Sequence, residues 1–455
     1  MKYILLWVCL VCLTACESTT YQYVNSCEST QNFSCTTDKP KNIAIFFDGT
    51  GNTPESDTNV YKLYQMLSKN SEEKVPSMYI EGVGTEWYRF ISGNLFGNGM
   101  KPRLVESYKF ILNEYKSTDE SLYLFGFSRG AYNARALAGL LYTAGLADTN
   151  NLNAEEVDTL ANKIVTAYLK KGDYESKRKR ISLVKGFKKS TVEPRVRFLG
   201  VWDSVSALSL KKSNETLLKK TSKVYVDQIC NIEAIAHAVS IDDNRGKRFT
   251  PELMTISKLA TFCDLPTEDL QSDIVGLYIA NKVDEVWFSG AHSDVGGGYS
   301  DAGQSPLSDV SLGWMLRKLE TEAPDFIPKK AKIDLAPDPL ALSHIGEESL
   351  PLKAYLNWNR NIPWLLSDVV HPNLRQMKVH SSVLWRLKNI PRTFREFAWV
   401  PDDMSETKNF DGCFTKIPLP DIDTFNDLTK ADYTLEYRTE KKCFQVIEPN
   451  LYNWQ

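Results

Sequence analysis

Residues 121–141 read SLYLFGFSRGAYNARALAGLL. The apolar run that opens this stretch has the length of a buried strand. After Gly130 the spacing changes, and Ala131, Ala134, Leu137, Ala138 and Leu141 fall on one helical face. Ser128 stands where one element becomes the other, with Gly126 and Gly130 two residues away on either side. The pattern Gly-x-Ser-x-Gly decides little by itself: at about 7% usage of each residue, chance yields it in roughly one chain in seven of this length. Its setting decides more. A strand that turns sharply into a helix, with glycines making room, holds a serine Oγ out of the fold beside the helix N-terminus. The plain alternative is a strand–helix turn that contains a serine and does no chemistry.

Other runs share this build. Ile43–Phe47 ends in Asp48-Gly49-Thr50-Gly51-Asn52, Met78–Ile80 in Glu81-Gly82-Val83-Gly84, and Val196–Trp202 in Asp203. Glu285–Ser289 runs into Gly290-Ala-His-Ser-Asp-Val-Gly-Gly-Gly298. A helix is expected over Lys101–Tyr115, and a helical, increasingly basic segment follows the serine helix. Strands alternating with helices and closed by glycine turns predict an α/β fold with a mostly parallel central sheet flanked by helices. Residues 41–320 read as one catalytic domain. Beyond 320 the pattern is irregular and rich in Pro and Trp, which suggests a C-terminal cap or subdomain over 321–455.

The chain has 455 residues, 42% hydrophobic and 24% charged, with a formal net charge of -3. That charge argues against nucleic acid as a partner. At the amino terminus one Lys precedes an apolar run from Tyr3 to Leu13, too short to span a bilayer as a mature helix and suited to an export signal. Leu13-Thr14-Ala15-Cys16 resembles the bacterial lipobox. The resemblance implies a signal peptide over 1–15, diacylation of Cys16, and a polar tether over 16–40. Glu17 after the cysteine points to the outer membrane of a bacterial envelope. With Cys9, Cys12 and Cys16 set aside, Cys27, Cys35, Cys230, Cys263, Cys413 and Cys443 remain. In an oxidising compartment disulfides are expected among them, with fifteen pairings open. No Cys-x-x-Cys or Cys/His cluster marks a metal site.

A reactive serine needs a base and a group that orients the base. Of five histidines, His292 follows a strand end and opens a glycine-rich loop. His237 lies in NIEAIAHAVSIDDNR at helical spacing and reads as a packed or capping residue; His380, in VHSSVLWRL, is the rival base. Asp203 ends its strand on the edge where Ser128 and His292 would sit, with Asp243 and Asp294 as competitors. The order Ser128, Asp203, His292 is that of an α/β-hydrolase. The oxyanion hole needs two backbone N–H groups, one from Arg129 and one from Gly49 or Thr50. No metal or organic cofactor is called for.

Taken together, IAIFFDGTGN, YIEGVGT, LFGFSRGAYNARALAG, FLGVWDSV, HAVSIDDNR and WFSGAHSDVGGGY resemble, in order, a bacterial and fungal α/β-hydrolase domain. That family includes the first class of type VI secretion lipase effectors, which are antibacterial phospholipases. The resemblance covers about residues 41–316. It implies Ser128 as nucleophile, Asp203 as acid and His292 as base, acting on phospholipid acyl esters with A1 or A2 regiochemistry. Those effectors carry no lipobox, so this amino terminus fits a resident envelope lipase or esterase better than a delivered weapon. An esterase or thioesterase on a soluble or cell-wall acyl group is the alternative, and a non-catalytic envelope lipoprotein using the fold for binding is a third reading. Two further features bear on substrate. TEWYRFISGNLFGNGM (85–100) and LNWNRNIPWLLSDVV (356–370) read as lid or core. Basic runs over 169–190 and 210–223 read as anionic-lipid contacts or as solvated faces.

Overall fold

A computed structural model describes residues 20–24, 42–69, 75–82, 99–205, 230–243, 249–254, 282–299, 306–344, 360, 376–389, 432–438 and 443–447. The strands are β1 (Tyr21–Val24), β2 (Asn42–Phe47), β3 (Ser77–Ile80), β4 (Ser121–Phe127), β5 (Val196–Trp202), β6 (Ile232–Ser240), β7 (Val283–Phe288), β8 (Gln376–His380), β9 (Asp432–Arg438) and β10 (Cys443–Ile447). They form one sheet in the order β1-β3-β2-β4-β5-β6-β7-β8-β9-β10. From β3 through β8 every pairing is parallel. β1 closes one end antiparallel to β3, and β9 and β10 extend the other end antiparallel.

The alternation inside β2 explains the layering. Ile43, Ile45 and Phe47 face one core, shared with α2 (Met100–Glu114), α3 (Arg129–Ala144) and α4 (Ala154–Leu169). Ala44 and Phe46 face the other, shared with α1 (Asn59–Ser68) and α7 (Pro306–Glu322). A sheet covered on both faces buries almost every position of its central strands, which is why β2 and β4 read as nearly unbroken apolar runs. Fully buried Phe125 stacks on Phe46 at 5.0 Å, and a side chain of that kind contributes about 1.5–3 kcal/mol by burial.

The order also fixes where a site can form. The chain leaves β2 toward β3 on one side, but from β4 onward it moves the other way, so the order reverses between β2 and β4. At such a reversal the loops diverge and leave a crevice at the carboxyl ends of the strands. The turn after β2 carries Gly49 and Thr50, and the turn after β4 carries Ser128.

Several expectations need correction. Residues 21–24 of the expected tether are an edge strand, paired Tyr21 to Ile80. His237 lies on β6, not on a helix. Apolar residues occupy both alternate sets of positions from Ala234 to Val239, and burial on both faces hides the period that separates strand from helix. The stretch past 320, expected as a cap or subdomain, supplies β8, β9 and β10 to the same sheet. The basic run 169–190 forms α5 (Tyr174–Ser182) and its flanks. Three of its basic residues pair with neighbouring acids (Arg178–Glu175 at 3.8 Å, Lys188–Asp148 at 3.0 Å, Lys189–Glu193 at 2.7 Å), and the run leads to the amino-terminal edge of β5, away from Ser128. The signal segment, Cys16, the run 210–223, and the 85–100 and 356–370 segments apart from 99–100 and Arg360 lie outside the described residues. Cys230 is disulfide-bonded, and no other cysteine has a described side chain.

Candidate active site

Ser128 has φ 57° and ψ -125°, a left-handed backbone in a non-glycine residue. Such a conformation costs about 1–3 kcal/mol and persists only where surroundings enforce it. Here the Ser128 N–H donates to Trp202 O at 3.0 Å, and Val205 N–H donates to Ser128 O at 3.3 Å. A Cβ at Gly126 would meet Ala131 Cα at 2.6 Å, and one at Gly130 would meet Phe47 O at 2.2 Å. Both glycines are therefore required for α3 to start this close to β2 and β4.

Asp203, at the end of β5, is also left-handed (φ 38°) and is buried. Its N–H donates to Ala238 O at 2.7 Å. His292 opens the short helix α6 (His292–Gly296) beyond β7. Its Nε2 lies 2.7 Å from Ser128 Oγ and its Nδ1 lies 2.5 Å from Asp203 Oδ2. The three side chains meet in one line: with Nδ1–H donating to the carboxylate, Nε2 is left to accept the serine proton. The imidazole is flanked by the rings of Phe127 and Phe249, at 4.7 and 4.8 Å. Asn59 at the start of α1 braces α6 by donating to Val295 O at 2.9 Å.

The rival residues take other roles. Asp243 Oδ2 accepts the His292 N–H at 3.1 Å, and Asp242 Oδ2 accepts Gly290 N–H at 2.7 Å. Asp294 accepts from Ala291 N–H at 2.8 Å and sits 2.7 Å from His344 Nδ1. These carboxylates hold the loop that presents His292. His237 Nε2 accepts Ser204 N–H at 3.1 Å while Nδ1 faces Glu285 at 2.8 Å, so it braces the residue after Asp203. His380 is buried at the end of β8, stacked on Phe288, with Nδ1 2.8 Å from Ser382 Oγ; burial pushes its pKa down to about 3.

Two residues escaped the sequence reading. Arg360 is fully buried and grips Asp203 with both terminal nitrogens, Nη1 to Oδ1 at 2.8 Å and Nη2 to Oδ2 at 2.7 Å. It also donates to Ser240 O and Phe249 O. Burial alone would raise the Asp203 carboxyl. The Arg360 guanidinium and the His292 hydrogen bond overcome that and hold it well below the usual carboxylate range. No motif marks Arg360, because a lone arginine among Asn and Trp has no local pattern.

Asp48 is the second. It lies beneath the turn after β2 and accepts from Gly49 N–H (2.7 Å), Thr58 Oγ1 (2.6 Å), Tyr79 OH (2.7 Å) and Asn52 Nδ2 (3.4 Å). Burial pushes its carboxyl up to about 6 against the pull of these donors. The Gly49 N–H is thus engaged inside the turn, which leaves Thr50 as the better placed of the two expected oxyanion donors. Arg129 opens α3, where first-turn N–H groups have no intrahelical acceptor.

Residues 41–318 match the catalytic-domain model described as a type VI secretion phospholipase effector, Tle1-like. The chain belongs to the Tle1-like family. Its Tle1-like domain is thus that of a hydrolase, and the match ends short of Arg360. A Saccharomyces cerevisiae protein described as uncharacterised is 28% identical over 258 residues, half of this chain and 36% of that protein. The chain therefore spans about a third of the length of that curated relative. Among solved structures, the Tle1 effector bound to the VgrG spike is 18% identical, covering 64% of this chain and 58% of that one, with a TM-score of 0.33. Carboxylesterase Cest-2923 from Lactobacillus plantarum is 10% identical, covering 67% and 92%, with a TM-score of 0.34.

Proposed function

We propose that this Tle1-like protein is a membrane-anchored serine hydrolase that cleaves carboxylic esters of phospholipids, a phospholipase A, through an acyl-enzyme. The observation that carries the reading is the continuous relay from Asp203 Oδ2 through His292 to Ser128 Oγ. His292 Nε2 takes the Ser128 proton as Oγ attacks the ester carbonyl. The oxyanion is met by the N–H groups of Arg129 and Thr50. As the intermediate collapses, the imidazolium returns its proton to the departing lysolipid alkoxide. A water deprotonated by the same nitrogen then attacks the acyl-serine, and the fatty acid leaves. Asp203, pinned by Arg360, fixes the imidazole tautomer throughout.

Substrate class draws on two further points. Arg129, next to the nucleophile, feels the repulsion of the buried Arg103 guanidinium, and this surplus of positive charge by the elbow suits a substrate that carries phosphate. The lipobox-like Cys16 would place the enzyme on the envelope membrane, facing its substrate in two dimensions, as a resident enzyme of the bacterial outer membrane. The test is fatty-acid release from phospholipid vesicles, measured beside hydrolysis of short-chain nitrophenyl esters. Release from vesicles, lost in Ser128→Ala, is expected. Hydrolysis of the soluble esters with none of the vesicle lipids would replace the phospholipase with a soluble-ester hydrolase.

A further inference from the structure

We propose that the lipid on Cys16 holds the catalytic edge of the sheet against the bilayer, so that the outer surface of the parallel strands' carboxyl ends is a membrane-docking surface. This rests on the anchoring included in the reading above. It does not require that the bound lipid be the substrate.

The observation behind it is the direction of β1. Because β1 runs antiparallel to β3, its first residue, Tyr21, pairs with the last residue of β3, Ile80. Ile80 is level with Phe47, and Phe47 with Gly126, across the parallel strands. Tyr21, Ile80, Phe47 and Gly126 thus form one row along the carboxyl edge, and Ser128 follows Gly126 by two residues. Neighbouring strands are about 4.8 Å apart, so the three spacings put Tyr21 roughly 14 Å to the side of the elbow and at its level. Thr20 is held there directly, its carbonyl accepting the Glu81 N–H at 3.3 Å.

Four residue steps separate Thr20 from Cys16, and a fully extended chain of that length reaches at most about 14 Å. The opposite edge lies farther off. β4 has seven residues, about 23 Å of strand, and a parallel β1 would have delivered the lipid to that far end. With an antiparallel β1 the tether is too short to let the molecule turn over. The alternative docking feature, the basic run around α5, leads to the amino-terminal edge of β5 and so faces away from the bilayer in this orientation.

The experiment uses full-length lipidated protein in vesicles of non-hydrolysable dialkyl-ether phosphatidylethanolamine and phosphatidylglycerol, with a nitroxide-headgroup lipid as quencher. One dye sits on Lys101→Cys, at the start of α2 beside Gly99, whose carbonyl shares the Arg103 guanidinium with Glu81 O. The other sits on Asp119→Cys, exposed just before β4 on the opposite edge. Quenching several-fold stronger at 101 than at 119 is expected, and a long Gly/Ser insert between Thr19 and Thr20 should remove the difference. Equal quenching, or stronger quenching at 119, would overturn the proposal, as would a mature protein whose Cys16 carries no lipid. Neither dye depends on hydrolysis. A protein that docks as expected yet releases no fatty acid from ester lipids would sink the phospholipase reading and leave the orientation standing.

Discussion

At the residue scale the site holds two left-handed non-glycine residues, Ser128 and Asp203, and both belong to the relay. Ser128→Gly relieves backbone strain that Ser128→Ala retains. The glycine variant should therefore be the more stable by about 1 kcal/mol, a rise of about 1 °C in melting temperature for a chain of this length, with both inactive. Matching melting temperatures would mean the elbow stores no strain. Arg360 gives a second test. Arg360→Met leaves the Asp203 carboxylate buried with one cation fewer, and breaking such a pair costs about 3–5 kcal/mol, readable by denaturant unfolding. Losing that positive charge also favours the protonated imidazole beside it, so the acid limb of the kcat/KM profile should move to higher pH. In the wild type Asp203 is held well below that range, so the wild-type limb reports His292. An unmoved limb would reduce Arg360 to a packing role. Ser128, Asp203 and His292 could be read from the sequence because each ends or follows a strand, where chemistry converges in such sheets. Arg360 could not, since its meaning lies in a contact across 157 residues of chain.

At the element scale, the turn after β2 is organised around a buried acid. A carboxyl whose folded pKa is raised holds its proton more tightly in the fold than in the unfolded chain. Its stabilising effect is therefore complete at low pH and is lost as pH rises toward the folded value. With Asp48 lifted from 3.8 to about 6, the unfolding free energy of the wild type relative to Asp48→Asn should fall by roughly 2–3 kcal/mol between pH 4 and pH 7.5. Urea unfolding of the two proteins at both pH values measures it, and a constant difference would show that Asp48 does not carry that burden. The strands of the parallel core were legible because burial on both faces makes them short, apolar and glycine-ended. The same burial hid β6, whose run of small and apolar residues fits either period. β1 was missed for the opposite reason: YQYV is short, polar and set among Ser and Thr, and only its pairing with β3 makes it a strand.

At the scale of the whole molecule, the part that matches the family stops at 318, while the sheet and the relay do not. β8 pairs with β7, β9 and β10 continue the sheet, and Arg360 reaches the acid. A chain ended at residue 322 exposes an unpaired edge of β7 and loses the arginine. It is expected to lack the cooperative unfolding transition of the full protein and to hydrolyse no ester, which calorimetry and nitrophenyl-ester turnover would check; an active, cooperatively folded fragment would show that the later strands are dispensable. The sequence did not reveal that the stretch past 320 joins the same sheet, because irregular Pro- and Trp-rich stretches give no period from which strand pairing can be inferred. The central claim is that an activated serine stands at the head of α3. Labelling of the purified protein by a fluorophosphonate probe tests it directly. The account predicts one adduct, on Ser128, abolished in Ser128→Ala and strongly slowed in His292→Ala; equal labelling of wild type and Ser128→Ala would contradict it.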